Sequence, residues 1–142
     1  AIILSPDRQK VLLIYHKLFY RWQQPGGHWE RDPEANPLVT AQREAEEETG
    51  VVIAQSIPFN SKYPLVPLVI DTHVVPEQPK KEEPPHYHHD FRYGFVAKSE
   101  ALTAQAGEVN IGDMGWFDLD APETEELQTA IAKLRRFGLI LA

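Results

Sequence analysis

Three glutamates in one acidic stretch, Glu44, Glu47 and Glu48, are the side chains of this sequence best suited to chemistry. On a helix, the i, i+3 and i+4 spacing places their carboxylates on one face. Like charges at this spacing destabilise an isolated helix by about 0.2–0.5 kcal/mol per pair, so a counter-charge is expected. Arg43 lies four residues before Glu47 and supplies part of it. Hard divalent cations prefer carboxylate oxygens, so a bound Mg²⁺ or Mn²⁺ is one interpretation and a solvated acidic face is the other.

The residues around this stretch predict the helix that it needs. Asn36 can cap free backbone N–H groups and Pro37 suits a first helical position, while Gly50 adopts the left-handed conformation that ends a helix. We therefore predict a helix over residues 38–49. Its core-facing stripe consists of Leu38, Ala41 and Ala45.

A glycine turn precedes the helix and completes a recognisable motif. Pro25-Gly26-Gly27 permits a tight turn with close backbone approach. The ordered residues closely resemble the Nudix box, G-x5-E-x7-R-E-U-x-E-E-x-G-U with U apolar. The matching letters are Gly27, Arg43, Glu44, Glu47, Glu48 and Gly50, and Glu34 lies between the first two of them.

The match to this box contains two single-residue insertions, both before the helix. Six residues separate Gly27 from Glu34 instead of five, and eight separate Glu34 from Arg43 instead of seven. Glu30 therefore competes with Glu34 for the loop position, and a small Ala45 occupies the apolar one. The helical half of the motif is intact, so it carries the role assignments.

The resemblance implies hydrolysis of a nucleoside diphosphate linked to another group, with Mg²⁺ or Mn²⁺ as cofactor. It implies metal ligation by the three helix glutamates and the Gly27 carbonyl, with Glu47 or Glu48 as an alternative general base. Arg43 would orient glutamates through a salt bridge to Glu34 or Glu47. Glu108 is the candidate for a ligand or base from a late loop.

Composition limits the class of protein. The 142 residues suit a single domain over residues 1–142, and the net charge of −7 disfavours nucleic acid as a partner. The absence of cysteine excludes thiolate metal sites, disulfides and Cys nucleophiles. No membrane-length apolar run or signal peptide is visible, so we expect a cytoplasmic protein without a membrane partner. The chain begins in a strand-like run without Met, which indicates a trimmed product. Whether a leader preceded it stays an open question.

The order of elements predicts an α/β fold. Apolar and β-branched runs predict strands at residues 1–4, 11–15, 19–24, from 51, 68–75, 86–97 and before 119. The proline-rich loop 76–85 would join two of them as a hairpin. A final helix over residues 122–137 has a stripe of Leu127, Ile131 and Leu134 with Phe137 behind it. This order gives a mixed β-sheet between helices and resembles the Nudix α/β/α sandwich.

The strand at residues 86–97 alternates in character. We predict that its aromatic face packs in the core, with the members Tyr87, His89, Phe91, Tyr93 and Phe95. The other face carries His86, His88, Asp90 and Arg92. The two histidines are candidates for substrate contact or metal ligation, and Arg92 for binding a phosphate or carboxylate or for a surface pair with Asp90.

Aromatic residues and lysines are further candidates. Trp29 is the favoured aromatic contact for a substrate base, ahead of Trp22 and Tyr20. Lys80 and Lys81, in the proline-rich loop, serve solubility or reach phosphates.

We therefore predict a metal-dependent pyrophosphohydrolase that acts on a small nucleotide-type diphosphate. Nucleoside triphosphates, oxidised nucleotides, ADP-ribose, dinucleoside polyphosphates, coenzyme A and capped RNA ends all remain open, as does the oligomeric state. One alternative is a catalytically weak or inactive Nudix-fold module that senses a nucleotide. Another is a protein that binds Zn²⁺ or Fe²⁺ through His86 and His88. An isoprenoid diphosphate isomerase is disfavoured because that chemistry calls for a reactive Cys.

Overall fold

A computed structural model describes residues 1–17, 20–29, 36–77, 83–103, 113–122 and 124–141. The strands are β1 (Ile2–Leu4), β2 (Lys10–His16), β3 (Arg21–Gln23), β4 (Ile53–Ile57), β5 (Val69–Val75), β6 (His86–Arg92), β7 (Gly94–Ala97) and β8 (Met114–Asp118). The helices are α1 (Pro37–Thr49) and α2 (Glu125–Arg136). Neither described helix has the length and apolar character that crossing a bilayer requires.

A mixed six-stranded sheet forms the centre of the fold. Its strand order is β3-β2-β1-β7-β4, and β8 also pairs with β2. β1 and β7 are parallel, and the other pairs in this sheet are antiparallel. β5 and β6 form a separate antiparallel hairpin, so the hairpin predicted across the proline-rich loop is confirmed.

The two helices cover opposite faces of the central sheet. Successive side chains of β1 point to alternate faces. Ile2 and Leu4 pack in one buried cluster with Leu127 and Ile131 of α2. Ile3 packs in the other, which also contains Ala41, Ala45 and Phe95. This arrangement confirms the predicted α/β sandwich and leaves the outer face of α1 available for a site.

Element boundaries differ from the prediction by one to three residues at several ends. β4 begins at Ile53 instead of residue 51, and β8 ends at Asp118. α2 is shorter than the predicted helix, and the ring of Phe137, at its C-cap, is half exposed against Phe59 instead of lying behind the apolar stripe.

The predicted strand at residues 86–97 is two strands in two sheets. The backbone changes partners around Tyr93: the Arg92 carbonyl accepts from Leu68, while the Tyr93 carbonyl accepts from Ile2. Tyr93 and Phe95 are buried, as predicted. On β6 the prediction of an aromatic core face is wrong, because Tyr87 is 66% exposed and Phe91 44% exposed.

Gly50 offers a test of the junction between α1 and β4. Its φ is +65°, and an added Cβ would lie 2.6 Å from the Thr103 carbonyl oxygen. Gly50→Ala should therefore lower the free energy of unfolding by about 1–2 kcal/mol, because a residue with a Cβ disfavours the left-handed backbone conformation. The steric overlap should add a further ~1–3 kcal/mol.

Gly138→Ala is the matched control, because Gly138 has the same φ of +65° and no atom within 4 Å of an added Cβ. Urea unfolding of both variants measures the difference. Equal losses of stability would show that the contact with Thr103 is not tight.

Candidate active site

α1 places the acidic side chains as predicted. The Asn36 side chain accepts from the Val39 N–H at 3.2 Å, Pro37 begins the helix, and Gly50 ends it at φ 65°. Ala41 and Ala45 are buried against the sheet. The glutamates consequently occupy the part of the helix surface that the core does not use.

Arg43 holds two of the three glutamates. Its Nη2 lies 2.6 Å from Glu44 Oε1, and its Nη1 lies 2.7 Å from Glu47 Oε2. Desolvation lowers the pKa of Arg43, but the charges and hydrogen bonds of Glu44 and Glu47 raise it above its ordinary value. The predicted salt bridge to Glu47 is present, and one to Glu44 was not foreseen.

The glycine turn lies directly on the glutamates. The Gly26 N–H donates to Glu48 Oε2 at 2.9 Å. A Cβ on Gly27 would overlap the Glu44 carboxylate, so only glycine permits this approach without moving that side chain. The Ala1 nitrogen donates to the Pro25 carbonyl at 2.6 Å and holds the turn beside β1.

The donor chemistry of this face suits a hard cation, because every side-chain ligand is a carboxylate oxygen. Gly27, which has no Cβ, lies directly against the Glu44 carboxylate. Among the described residues, three other side chains have ligand atoms within 4.8 Å of one another, and none of them is a glutamate of α1. They are Asp71, His73 and Asp90. Glu44 and Glu47 are arranged around the Arg43 guanidinium. A cation bound there would compete with Arg43 for both carboxylates.

The β5–β6 hairpin turns its polar face inward. Asp71 pairs directly with Asp90, and His73 pairs directly with His88, in the antiparallel register. His73 Nδ1 lies 3.6 Å from Asp71 Oδ2 and 4.0 Å from Asp90 Oδ2. Sequence reasoning missed Asp71 and His73 as site residues. Their signal was the mirrored order Asp71-Thr72-His73 and His88-His89-Asp90 on the two sides of a proline-rich loop.

Three histidine rings surround the ring of His88. Ring centroids of His28, His73 and His86 lie 5.4, 5.6 and 5.0 Å from that of His88. Burial lowers the pKa of His88, and the neighbouring His28, His86 and His73 lower it further, against an opposite effect of Asp90. His28 directly follows the glycine turn, so the hairpin histidines adjoin the loop of the acidic helix.

Arg92 is a buried cation. It is 6% exposed, and its Nη2 lies 3.2 Å from Asp90 Oδ2, so the predicted pair exists but is not a surface pair. Its Nε and Nη1 have no hydrogen-bond partner in the part of the chain that the structure describes. Glu48, Arg92 and Asp90 all lie within electrostatic range of the Ala1 nitrogen, so the acidic helix and β6 flank one region.

The aromatic candidates differ in environment. Trp29 is 55% exposed and Tyr20 is 82% exposed, which leaves both rings accessible. Trp22 packs against Tyr15 and Phe117, at centroid distances of 5.5 and 4.7 Å, and is partly buried against the core. The remaining predicted residues, Glu30, Glu34, Lys80, Lys81 and Glu108, lie outside the described residues.

Comparison with known proteins decides the family, because the family model of the NUDIX domain matches residues 1–136. This chain belongs to the Nudix family. The motif recognised on α1 and its preceding turn is therefore the Nudix box of a Nudix domain.

Nudix proteins of several organisms share this fold. A NUDIX-family hydrolase of Clostridium perfringens is 21% identical, with 97% of this chain and 93% of that chain covered and a TM-score of 0.67. The NUDIX domain of Shewanella oneidensis NrtR, solved with ADP ribose, is 19% identical, with 95% and 82% covered and a TM-score of 0.60. An Ap4A hydrolase of C. elegans is 17% identical, with 97% and 93% covered and a TM-score of 0.58.

One relative is similar over a shorter stretch. CMP-5'-(N-acetyl-N-hydroxy-3-aminopropyl)phosphonate hydrolase of Streptomyces rubellomurinus is 43% identical over 53 residues, which are 34% of this chain. The chain spans 25% of that relative's length.

Gly27→Ala tests the contact between the turn and the helix. The overlapping atoms are the tip of a flexible side chain, so Glu44 should swing away from Arg43 while the free energy of unfolding changes by less than about 1 kcal/mol. A crystal structure of the variant and urea unfolding measure both effects. An unmoved Glu44 carboxylate would contradict the close packing described above.

Proposed function

We propose that this Nudix protein is a divalent-metal-dependent pyrophosphohydrolase. It hydrolyses a nucleoside diphosphate linked to another moiety by attack of water on phosphorus. The observation that carries the proposal is the carboxylate face of α1, with Glu44, Glu47 and Glu48 held by Arg43 and the Gly26–Gly27 turn. A pyrophosphate is itself highly negative, so these carboxylates bind it only with cations between them.

The three glutamates and the Gly27 carbonyl are the proposed ligands of Mg²⁺ or Mn²⁺. Such an ion, when bound, lowers the pKa of a coordinated water and neutralises charge on phosphate oxygens. Arg43 orients Glu44 and Glu47 through its two ion pairs. Glu47 or Glu48 takes the proton of the attacking water, and the choice between them stays open.

Arg92 is the proposed contact for a substrate anion. Burying a cation with two nitrogens unpaired, Nε and Nη1, is costly, and phosphate oxygens are charged acceptors that would satisfy their N–H groups. Trp29 is accessible for stacking on a base, and the His86–His88 pair lies on the same inner strand face as Arg92. Glu34 and Glu108 keep their proposed roles as loop acid and late-loop ligand or base.

The names of similar proteins support the proposed substrate class. Their names and titles refer to a CMP-linked phosphonate, ADP ribose and Ap4A, all of which carry a nucleotide. A small nucleotide-type diphosphate is the shared class, and the base and the leaving moiety remain to be identified by assay.

A second candidate function is nucleotide sensing without turnover. The observation that favours it is the double ion pair of Arg43, which engages both Glu44 and Glu47 and offsets one of their two negative charges. The same family includes the NrtR domain solved with ADP ribose. The two functions differ in whether a bound nucleotide is hydrolysed.

Substitution of the paired glutamates tests the catalytic proposal. Glu47→Gln and Glu48→Gln each remove one negative ligand and one possible base, so turnover should fall by about 10²–10⁴-fold. The midpoint of thermal unfolding should stay close to that of the parent chain. Release of nucleoside monophosphate from a panel of nucleotide diphosphates, with Mg²⁺, Mn²⁺ or EDTA, measures the effect.

Glu46→Gln is the matched control on the same helix. Glu46 Oε1 accepts from Gln42 Nε2 and the Ile53 N–H, and glutamine retains an oxygen acceptor there. This variant should keep nearly full turnover. Full activity of both Glu47→Gln and Glu48→Gln would refute the assignment. Metal-dependent thermal stabilisation by one nucleotide, without turnover of any, would favour the sensor.

A further inference from the structure

The inner face of the β5–β6 hairpin carries an unfavourable pair of charges. Asp71 and Asp90 are directly opposite in the register, and like charges in this position destabilise a sheet. Arg92 lies 3.2 Å from Asp90, on one side of the pair. His73 Nδ1 approaches both carboxylates from the other side, at 3.6 and 4.0 Å. Two carboxylates and an imidazole within 4.8 Å of one another form a donor set for a divalent ion.

The neighbouring His86 presents a nitrogen lone pair to the same face. His86 Nδ1 lies 2.8 Å from the Pro84 carbonyl oxygen, which only accepts, so this nitrogen carries the proton. In neutral His86 the Nε2 is then a lone pair, as in metal-bound histidines whose other nitrogen donates to a backbone carbonyl.

The spacing of the two facing nitrogens matches shared coordination. His86 Nε2 lies 3.2 Å from His88 Nε2. Two nitrogens at Zn–N distances of 2.0–2.1 Å on a tetrahedral ion lie about 3.3 Å apart. Their rings would then have centroids about 5 Å apart, against the observed 5.0 Å.

We propose that His86 and His88 bind one Zn²⁺-class cation, and that His73 and Asp90 rotate toward it to complete the coordination, because the ligand atoms of these four residues do not all lie within 4.8 Å of one another before binding. This site is separate from the glutamates of the Nudix box, and it does not depend on the proposed hydrolysis. Imidazole nitrogen prefers Zn²⁺ and similar transition metals, whereas the all-carboxylate face of α1 prefers Mg²⁺ or Mn²⁺. The ion would replace the direct substrate contact proposed for His86 and His88.

The position of the site indicates what the ion would do. It would join β5 to β6, and a two-stranded hairpin is marginally stable alone. The ring of His28 also contacts that of His88, so the site adjoins the turn that carries Gly26 and Gly27. A metal here would order both the hairpin and the approach to the acidic helix.

Zn²⁺ and Co²⁺ are the probes for the first experiment. The protein is stripped with EDTA, dialysed and titrated with Zn²⁺ by calorimetry, in the presence of a large excess of Mg²⁺. One Zn²⁺ per chain should bind despite the Mg²⁺. Binding of Co²⁺ should give the intense visible absorption of a tetrahedral nitrogen-rich site. Absence of Zn²⁺ binding, displacement by Mg²⁺, or a weak octahedral Co²⁺ spectrum would each overturn the proposal and leave a His86–His88 hydrogen bond only.

Variants then identify the ligands. His88→Ala should weaken Zn²⁺ binding by at least about 100-fold. His89→Ala is the matched control, because His89 is on the opposite, exposed face of the same strand and pairs with Thr72. It should change the affinity less than about threefold. Glu47→Gln should leave Zn²⁺ affinity unchanged. Failure of the hydrolase proposal can therefore be told apart from failure of the zinc-site proposal.

Equal losses in His88→Ala and His89→Ala, or loss of the site in Glu47→Gln, would refute the assignment. If His88→Ala does not fold, His86→Ala and the Co²⁺ spectrum of the parent chain decide the question instead.

Discussion

Gathering three carboxylates on one helix face is electrostatically unfavourable, and much of the surrounding structure compensates for it. Arg43 pairs with Glu44 and Glu47, and the Gly26 N–H pairs with Glu48. Buried alanines on the adjoining face of α1 anchor the helix to the central sheet. Because packing of that side stabilises the helix, the repulsion costs only a fraction of the folding free energy.

The β5–β6 hairpin shows the same compensation with different side chains. Its charged groups and most of its imidazoles share the more buried face, while apolar residues such as Tyr87 and Val74 lie on the exposed face. Hydrophobic burial alone would favour the reverse orientation. The inward face must therefore gain from polar contacts, and the Arg92–Asp90 pair and the histidine cluster are the described contacts that supply them.

Local signals predicted α1 well because its capping residues act within a few positions of the chain. The ion pair to Glu47 followed from helix spacing in the same way. The hairpin face was predicted wrongly, because alternation shows that two faces differ but not which one is inward. Asp71 and His73 were missed because their partners depend on strand register across a loop of ten residues, 76–85. The change of sheet between β6 and β7 depends on the pairing of β7 with β1 and β4, which no local pattern specifies.

The two polar clusters meet at the segment from Pro25 to His28. Its glycines pack on Glu48 and Glu44, and its histidine packs on His88. A displacement of this segment that relieves one cluster must alter contacts in the other, since three or four residues of extended chain leave little slack. The proposed ions differ in the ligands they prefer, oxygen on α1 and nitrogen on the hairpin. The shared turn therefore connects the contacts of the hairpin to the position of the glutamates.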